Sequence, residues 1–219
     1  MAGRGRELIV PYPSGGKPVQ NKSKETHMTT AGDGSDYEAL AKEVRYLRDR
    51  LEIQDCIHRY CRGLDRLDRD IALSAYHADG SDDRGGPFVG SPREFIDWVF
   101  PDLQNAKGTS HNISNITCEI SGDVAHAESY ITFHVWSADD KNVIIGGARY
   151  IDRLERRDGR WAIAHREALM DYMVRLEASP MRGGNMPSGA RDKSDRSYVR
   201  PLGLSEEAKQ RLAKRRAAT

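Results

Sequence analysis

Apolar and polar residues recur along this chain with two different periods, and the change of period divides it. From Leu40 the apolar positions fall at helical spacing: Leu40, Val44, Leu47 and Leu51, then Ile53, Ile57, Tyr60 and Leu64, up to Gly63-Leu64-Asp65. That pattern predicts one long amphipathic helix. Two shorter helical stretches follow, Asp70 to Tyr76 and Pro92 to Phe100, separated by a Gly-, Asp- and Pro-rich loop from Asp79 to Gly90. Beyond Phe100 the period becomes two. Ile113 to Ile120, Val124 to Trp136, Asn142 to Arg156 and Arg160 to Tyr172 read as strands. They are joined at Ser121-Gly122-Asp123, Asp139-Asp140-Lys141 and Asp158-Gly159, the last being the strongest hairpin signal in the chain.

Helices followed by a long antiparallel meander predict an α+β domain: a cone-shaped barrel of curved antiparallel sheet with the N-terminal helices on its concave side. Such a sheet can wrap around a pocket. Alternation then assigns faces. In the last strand Ala162, Ala164, Arg166, Ala168, Met170 and Tyr172 share a face, with Arg166 its only charge. In the second strand Tyr130, Thr132, His134 and Trp136 form a mixed face suited to a partly wet pocket, and Ile131, Phe133 and Val135 form the apolar one. His134, Tyr130, Trp136, Met170 and Tyr172 are therefore the expected substrate-binding residues.

Composition adds tails to this single domain. Residues 1–34 carry Gly, Pro, Ser, Lys and Thr with hardly any apolar pattern and read as a disordered leader. Within it, His27-Met28 reads as a cloning junction with Met28 as the natural start. The domain is expected over 35–178, and 179–219 as a basic tail closing in a short helix that begins near Leu204-Ser205-Glu206-Glu207. A formal net charge of +1 gives no general case for nucleic acid or membrane, and no stretch reaches the roughly 18 apolar residues of a membrane span. Cys56, Cys61 and Cys118 lack zinc-type spacing and read as reduced thiols of a cytoplasmic protein. No metal site is expected.

Four polar residues among small or apolar neighbours carry the candidate chemistry: Tyr60, Asp65, His111 and Arg166. A neutral imidazole is a base near neutral pH, and a carboxylate beside it fixes its tautomer and stabilises the cation formed on protonation. Asp65 would orient His111, Tyr60 would hydrogen-bond a carbonyl or hydroxyl where charge grows, and Arg166 would hold a developing anion. Each has a plainer alternative. Asp65 could cap a helix end or neutralise Arg62 or Arg66, His111 could be a satisfied structural histidine, Tyr60 could be core, and Arg166 could pair with Glu128 or Asp171. Gly146-Gly147, inside a strand, reads as a bulge or close-packing site rather than a phosphate loop. Arg153, Arg156, Arg157 and Arg160 read as a solvated hairpin rim.

Ile53-Gln54-Asp55 through Tyr60, Gly63-Leu64-Asp65, Ser110-His111-Asn112, Gly146-Gly147-Ala148-Arg149-Tyr150 and Glu155-Arg156-Arg157-Asp158-Gly159-Arg160-Trp161 together resemble SnoaL-like proteins of the nuclear transport factor two-like superfamily. The resemblance spans Tyr37 to Tyr172. It implies the cone fold and, from the family's dehydratases and dehydrochlorinase, a catalytic aspartate at Asp65 and histidine at His111. It also implies a catalytic group at Tyr60, a cavity arginine at Arg166 and a second histidine near His134. The implied activity is a cofactor-independent lyase of a small hydrophobic or aromatic molecule: a dehydratase, a dehydrohalogenase or a retro-aldol carbon–carbon lyase. An isomerase or cyclase with the same dyad and a non-catalytic ligand-binding or assembly module are the alternatives, since fold does not fix function. Self-association, as a homotrimer, is expected through the outer sheet face carrying Ile131, Phe133 and Val135.

Overall fold

The computed structural model describes residues 34–178 and 188–217. The expected leader lies outside the described residues except for Gly34, as does 179–187 of the tail. The chain divides between Ala39 and Leu40 into two compact units. Of the first, only the opening of the first helix is described, and everything below concerns the second.

Helix α1 (Gly34–Asp65) buries Asp49, Ile53, Cys56, Ile57, Tyr60, Cys61, Gly63 and Leu64. Only the second half of the predicted apolar run faces the core. Leu40, Val44, Leu47 and Leu51 are 55–61% exposed. The reason is that packing begins only at Asp49: from Leu40 to Arg48 every residue but half-buried Ala41 is exposed, whereas the Asp49 carboxylate accepts from Arg156 Nη1 and Trp161 Nε1, each at 3.0 Å. At 3.6 residues per turn, Leu47 and Leu51 then point about 160° away from it.

The helix ends in a Schellman turn. Leu67 takes a left-handed conformation (φ 52°), Asp68 N donates to Gly63 O at 2.8 Å and Leu67 N to Leu64 O at 3.2 Å. Asp68 then caps the short helix α2 (Arg69–Leu73) by accepting from Ile71 N. The two helices meet at Gly63, where any Cβ would lie 2.4 Å from Ala72 N, so no larger residue fits without moving α2.

Strand β1 (Tyr76–Asp83) replaces the end of one predicted helix and the start of the predicted loop. Its partner is the last strand, in parallel, through Ser81↔His165, Asp82↔Arg166 and Asp83↔Glu167. A segment reading His-Ala-Asp-Gly-Ser-Asp has no local strand propensity, and its pairing depends on a partner more than 80 residues away. Two-residue β2 (Val89–Gly90) and helix α3 (Pro92–Asn105) follow, α3 opening with a capping box between Ser91 and Glu94.

The meander matches the period-two pattern: β3 (Gly108–Ser121), β4 (Val124–Trp136), β5 (Asn142–Arg157) and β6 (Arg160–Glu177) pair as consecutive antiparallel neighbours. The sheet order is β2-β1-β6-β5-β4-β3. Apart from the β1–β6 pair the curved sheet is antiparallel, and α1 packs on it. At the β5–β6 hairpin Asp158 and Gly159 both have positive φ, 52° and 76°, as a tight turn between twisted strands needs.

Register corrects the expected faces. Ile131 is 3% exposed and belongs to the core under α1, so Ile131, Phe133 and Val135 mark the inner face rather than an outer face for self-association. Tyr130, His134 and Trp136 consequently lie on the outer face, and Tyr130 is 45% exposed. In β6, Met170 pairs with Ala148 on the inner face, but a bulge at Gly147/Ala148 puts Tyr172 opposite Gly147, on the outer one. The two glycines are close-packing sites. A Cβ would strike the Phe133 ring at Gly146 (2.1 Å) and the Tyr172 ring at Gly147 (2.2 Å).

The tail folds back over the end of α1. Arg196–Tyr198 form a single 3-10 turn, and helix α4 (Glu206–Ala217) closes the described chain. Lys193 and Tyr198 both bond Asp68, Asp195 pairs with Arg66 at 3.6 Å, and the Arg62 guanidinium lies 4.9 Å from the Tyr198 ring centre. No described helix is long and apolar enough to cross a membrane.

Candidate active site

Asp65 and His111 meet where the last turn of α1 touches the edge strand β3. His111 Nδ1 lies 2.6 Å from Asp65 Oδ1, the His111 backbone N–H donates to Asp65 Oδ2 at 2.9 Å, and Thr109 Oγ1 donates to Asp65 Oδ1 at 3.0 Å. Strand position explains the amide, because an edge strand turns alternate N–H groups away from its ladder. The carboxylate neither caps α1 nor bonds Arg62 or Arg66. It sits at the negative end of a helix, where it is held by donors from β3 rather than by the helix dipole.

An ionised carboxylate only accepts, so Nδ1 is the protonated ring nitrogen of a neutral His111 and Nε2 carries the lone pair. Nε2 has no hydrogen-bond partner among the described residues. The His111 ring stacks beside Phe133 with centroids 6.2 Å apart. Burial pushes the Asp65 carboxyl up, but the hydrogen bond from the His111 ring, the charge of that ring when protonated, the His111 amide and Thr109 outweigh it and hold it below the ordinary 3.8. The side chains of His111 and Asp65 keep only 9% and 13% of their surface exposed.

What remains exposed opens on a cleft of about 570 Å³ lined by Asp55, His58, Arg59, Cys61, Arg62, Asp65, Arg66, His111 and Ile113. Every lining residue but Arg66, which directly follows α1, comes from α1 or β3, so the cleft runs between the helix and the sheet edge. Its three guanidinium groups outnumber its two carboxylates, Asp55 and Asp65. From the tail, Arg191 donates to Leu103 O (2.6 Å), Ala106 O (2.8 Å), Asp65 O (3.4 Å) and Thr109 Oγ1 (3.1 Å). Arg191 thus ties the C-terminus of α3, the last turn of α1 and the start of β3 together beside the dyad. Neither Thr109 nor Arg191 is signalled in the sequence, since their neighbours are ordinary loop and tail residues.

Tyr60 and Arg166 belong to a different, buried cluster. Both are 0% exposed. Arg166 makes a fork with Asp152 through two contacts of 2.7 Å, not with Glu128 or Asp171, which pair with Arg149. Its guanidinium lies 4.0 Å from the Tyr150 ring centre and 4.4 Å from that of Tyr60. From the loop after β1, Arg84 enters the same space, donating to Tyr60 Oη at 2.7 Å and to both Asp82 carboxylate oxygens. Tyr76 Oη donates to Asp82 Oδ2. Two cations and two anions balance in a cage of aromatic rings, and burial raises the Tyr60 hydroxyl further above its ordinary value.

None of the expected substrate-binding residues lines the cleft. His134 lies 3.5 Å from Ser110 on the outer face, Trp136 donates to Asp140 at 2.8 Å, Tyr130 and Tyr172 are exposed on the outer face, and Met170, on the inner face, is 58% exposed. Among the described residues no group of three or more His, Cys, Asp or Glu could hold a metal ion.

The chain belongs to the SnoaL-like domain family, whose model matches residues 45–167. No curated protein matches it. Among solved structures, a hexachlorocyclohexane dehydrochlorinase of the LinA type 2 superposes with a TM-score of 0.59 at 20% identity over 66% of this chain and 99% of that one. A candidate scytalone dehydratase from Novosphingobium aromaticivorans superposes at 0.55 and 20% identity over 63% and 95%. Rv3472 of Mycobacterium tuberculosis, a protein of unknown function, superposes at 0.52 and 24% identity over 58% and 74%. At these identities the likeness is one of fold.

Proposed function

We propose that this SnoaL-like domain is a cofactor-independent lyase in which His111 is the base and Asp65 holds it. The observation that carries the reading is the 2.6 Å contact between His111 Nδ1 and a carboxylate already tied by the His111 amide and Thr109. That arrangement fixes the tautomer and leaves Nε2 free to accept a proton at the cleft. In the elimination, Nε2 takes a proton from carbon and the C–H electron pair becomes the new π bond. The leaving group departs with its own pair, and Asp65 stabilises the imidazolium until the proton passes on. Arg59, Arg62 and Arg66 along the cleft suit a leaving group that departs as an anion. Two of the solved relatives bear the names of elimination enzymes, which supports the reaction class. An apolar or aromatic substrate fits Ile113 and the Phe133 ring beside His111.

The test is turnover by the full chain of two elimination substrates, chloride release from hexachlorocyclohexane and water loss from scytalone, in the wild type, His111→Ala and Asp65→Asn. Loss of about a hundredfold or more is expected from each substitution on whichever substrate turns over. Full activity in a folded His111→Ala variant rejects the reading. A second reading, a ligand-binding module, is favoured by one observation: Tyr60 and Arg166 are sealed away from the cleft.

A further inference from the structure

The apolar stripe left uncovered on the first half of α1 has a stricter repeat than a helix surface requires. Leu40, Val44, Leu47 and Leu51 follow one another at intervals of four, three and four, the d-a-d-a positions of a heptad. All four are 55–61% exposed, while Asp49, on the opposite side, is bonded into the domain by Arg156 and Trp161. Residues 42–48 are exposed all round the helix, and from Asp49 onward one side is committed to its own fold, leaving the seam on the other. The positions flanking that seam are charged in a matching order. With Val44 and Leu51 at a, the g positions are Glu43 and Arg50 and the following e positions are Arg48 and Asp55.

We propose that this stripe is the interface with a second copy of the chain, the two α1 helices forming a parallel two-stranded coiled coil about a two-fold axis. Parallel pairing sets Glu43 against Arg48 of the other copy and Arg50 against Asp55, and symmetry doubles each attraction. No single antiparallel register satisfies both pairs, because Glu43 with Arg50 and Arg48 with Asp55 centre on points about five residues apart. At the one heptad with a β-branched core residue, Val44 at a beside Leu47 at d favours two strands over three. Within one chain these charges make only surface contacts: Arg48 lies 3.6 Å from Glu52 with both exposed, and Arg50 reaches the Tyr46 hydroxyl at 3.3 Å. Both leave the charges free to be shared. The seam is short for a free peptide, but the helix continues unbroken into the half that the domain buries, so pairing does not bear the cost of nucleating it.

Sedimentation equilibrium of the full chain across micromolar concentrations tests this together with a cysteine probe. The expected result is a dimer whose dissociation constant rises about a hundredfold or more in Val44→Glu/Leu47→Glu, since burying two such side chains is worth several kilocalories. Arg48→Glu weakens the dimer, and Glu43→Arg/Arg48→Glu restores it. Leu40→Cys places a thiol against its own symmetry mate and gives a covalent dimer on mild oxidation only when the helices run parallel. A wild type monomeric at tens of micromolar, a trimer, an oligomer indifferent to Val44→Glu/Leu47→Glu, or a dimer that Leu40→Cys fails to cross-link each overturns the proposal.

Discussion

Two clusters of polar side chains hang from α1 about 7.5 Å apart along its axis, five residues at 1.5 Å each, and put similar groups to opposite uses. The cluster around Tyr60 is closed. Its arginines are forked onto Asp82 and Asp152 and stacked on aromatic rings, and of its guanidinium nitrogens only Arg166 Nη1 is buried without a hydrogen bond among the described residues. The cluster around Asp65 is left incomplete on one side. Three donors converge on its carboxylate, while His111 Nε2 is uncommitted at the cleft. Buried charge that is fully paired specifies a core, whereas a polar group held in place with one valence unspent is available for chemistry.

The sharpest way to break this contrast is at Asp152. Asp152→Ala strands the Arg166 guanidinium in a site with 0% exposure, and losing one partner of a buried pair costs about 3–5 kcal/mol. Urea unfolding is expected to show that loss, and Asp152→Leu/Arg166→Met to recover most of it. A change below about 1 kcal/mol in the single variant would mean that the cluster opens to water and that Arg166 is not sealed.

At the dyad the expected effect is kinetic. His111→Ala removes the base and Asp65→Asn removes the charge that stabilises the imidazolium, each costing about a hundredfold in turnover, and the double variant is expected to lose little more than either. Losses that simply multiply would show two independent groups. A smaller effect is expected from Arg191→Met, about tenfold, because a charged donor to backbone carbonyls and the Thr109 hydroxyl is lost beside Asp65. Arg191→Lys should not restore it, since an ammonium cannot reach carbonyls on α1 and α3 and the Thr109 hydroxyl at once. Full rescue by lysine would reduce Arg191 to a point charge.

The sequence carried one side of this contrast better than the other. Asp65 and His111 could be paired because both stand beside strong punctuation, the Gly63 helix end and the start of the meander. The four meander strands were legible because period two runs between turn signals, but β3 begins at Gly108 rather than Ile113 and β6 runs to Glu177 rather than Tyr172. Face assignment failed where it depended on tertiary facts. The mixed face of β4 resembles a pocket, yet the inner face is the apolar one carrying Ile131, because α1 covers it and the histidine arrives from the neighbouring edge strand. The bulge that reverses Tyr172 leaves no trace in alternation. Arg166 stood out as a lone charge, but its partner Asp152 is on another strand and the Arg84 that shares its cage comes from a loop. The apolar spacing from Leu40 to Leu51 is the same inside a fold as on a seam, and only burial separates the two.

Acid offers the gentlest probe, because it acts on the strap beside the dyad through a group that the closed cluster does not share. Asp195 accepts from the Ser197 hydroxyl and amide and from the Ala190 amide, and these bonds hold its carboxyl down at about 2 against an ordinary 3.8. A carboxyl whose folded value is depressed lends stability that is complete above its unfolded value and disappears as pH falls through the folded one. The strap is therefore expected to keep its anchor at pH 5 and lose it between about pH 4 and 2. Amide resonances of Ala190 and Ser197 followed by NMR should titrate with a midpoint near 2, and those of Arg66, which Asp195 pairs, should move with them. A midpoint near 4 would show that the bonds to Asp195 are not formed in solution and that the tail does not hold the end of α1.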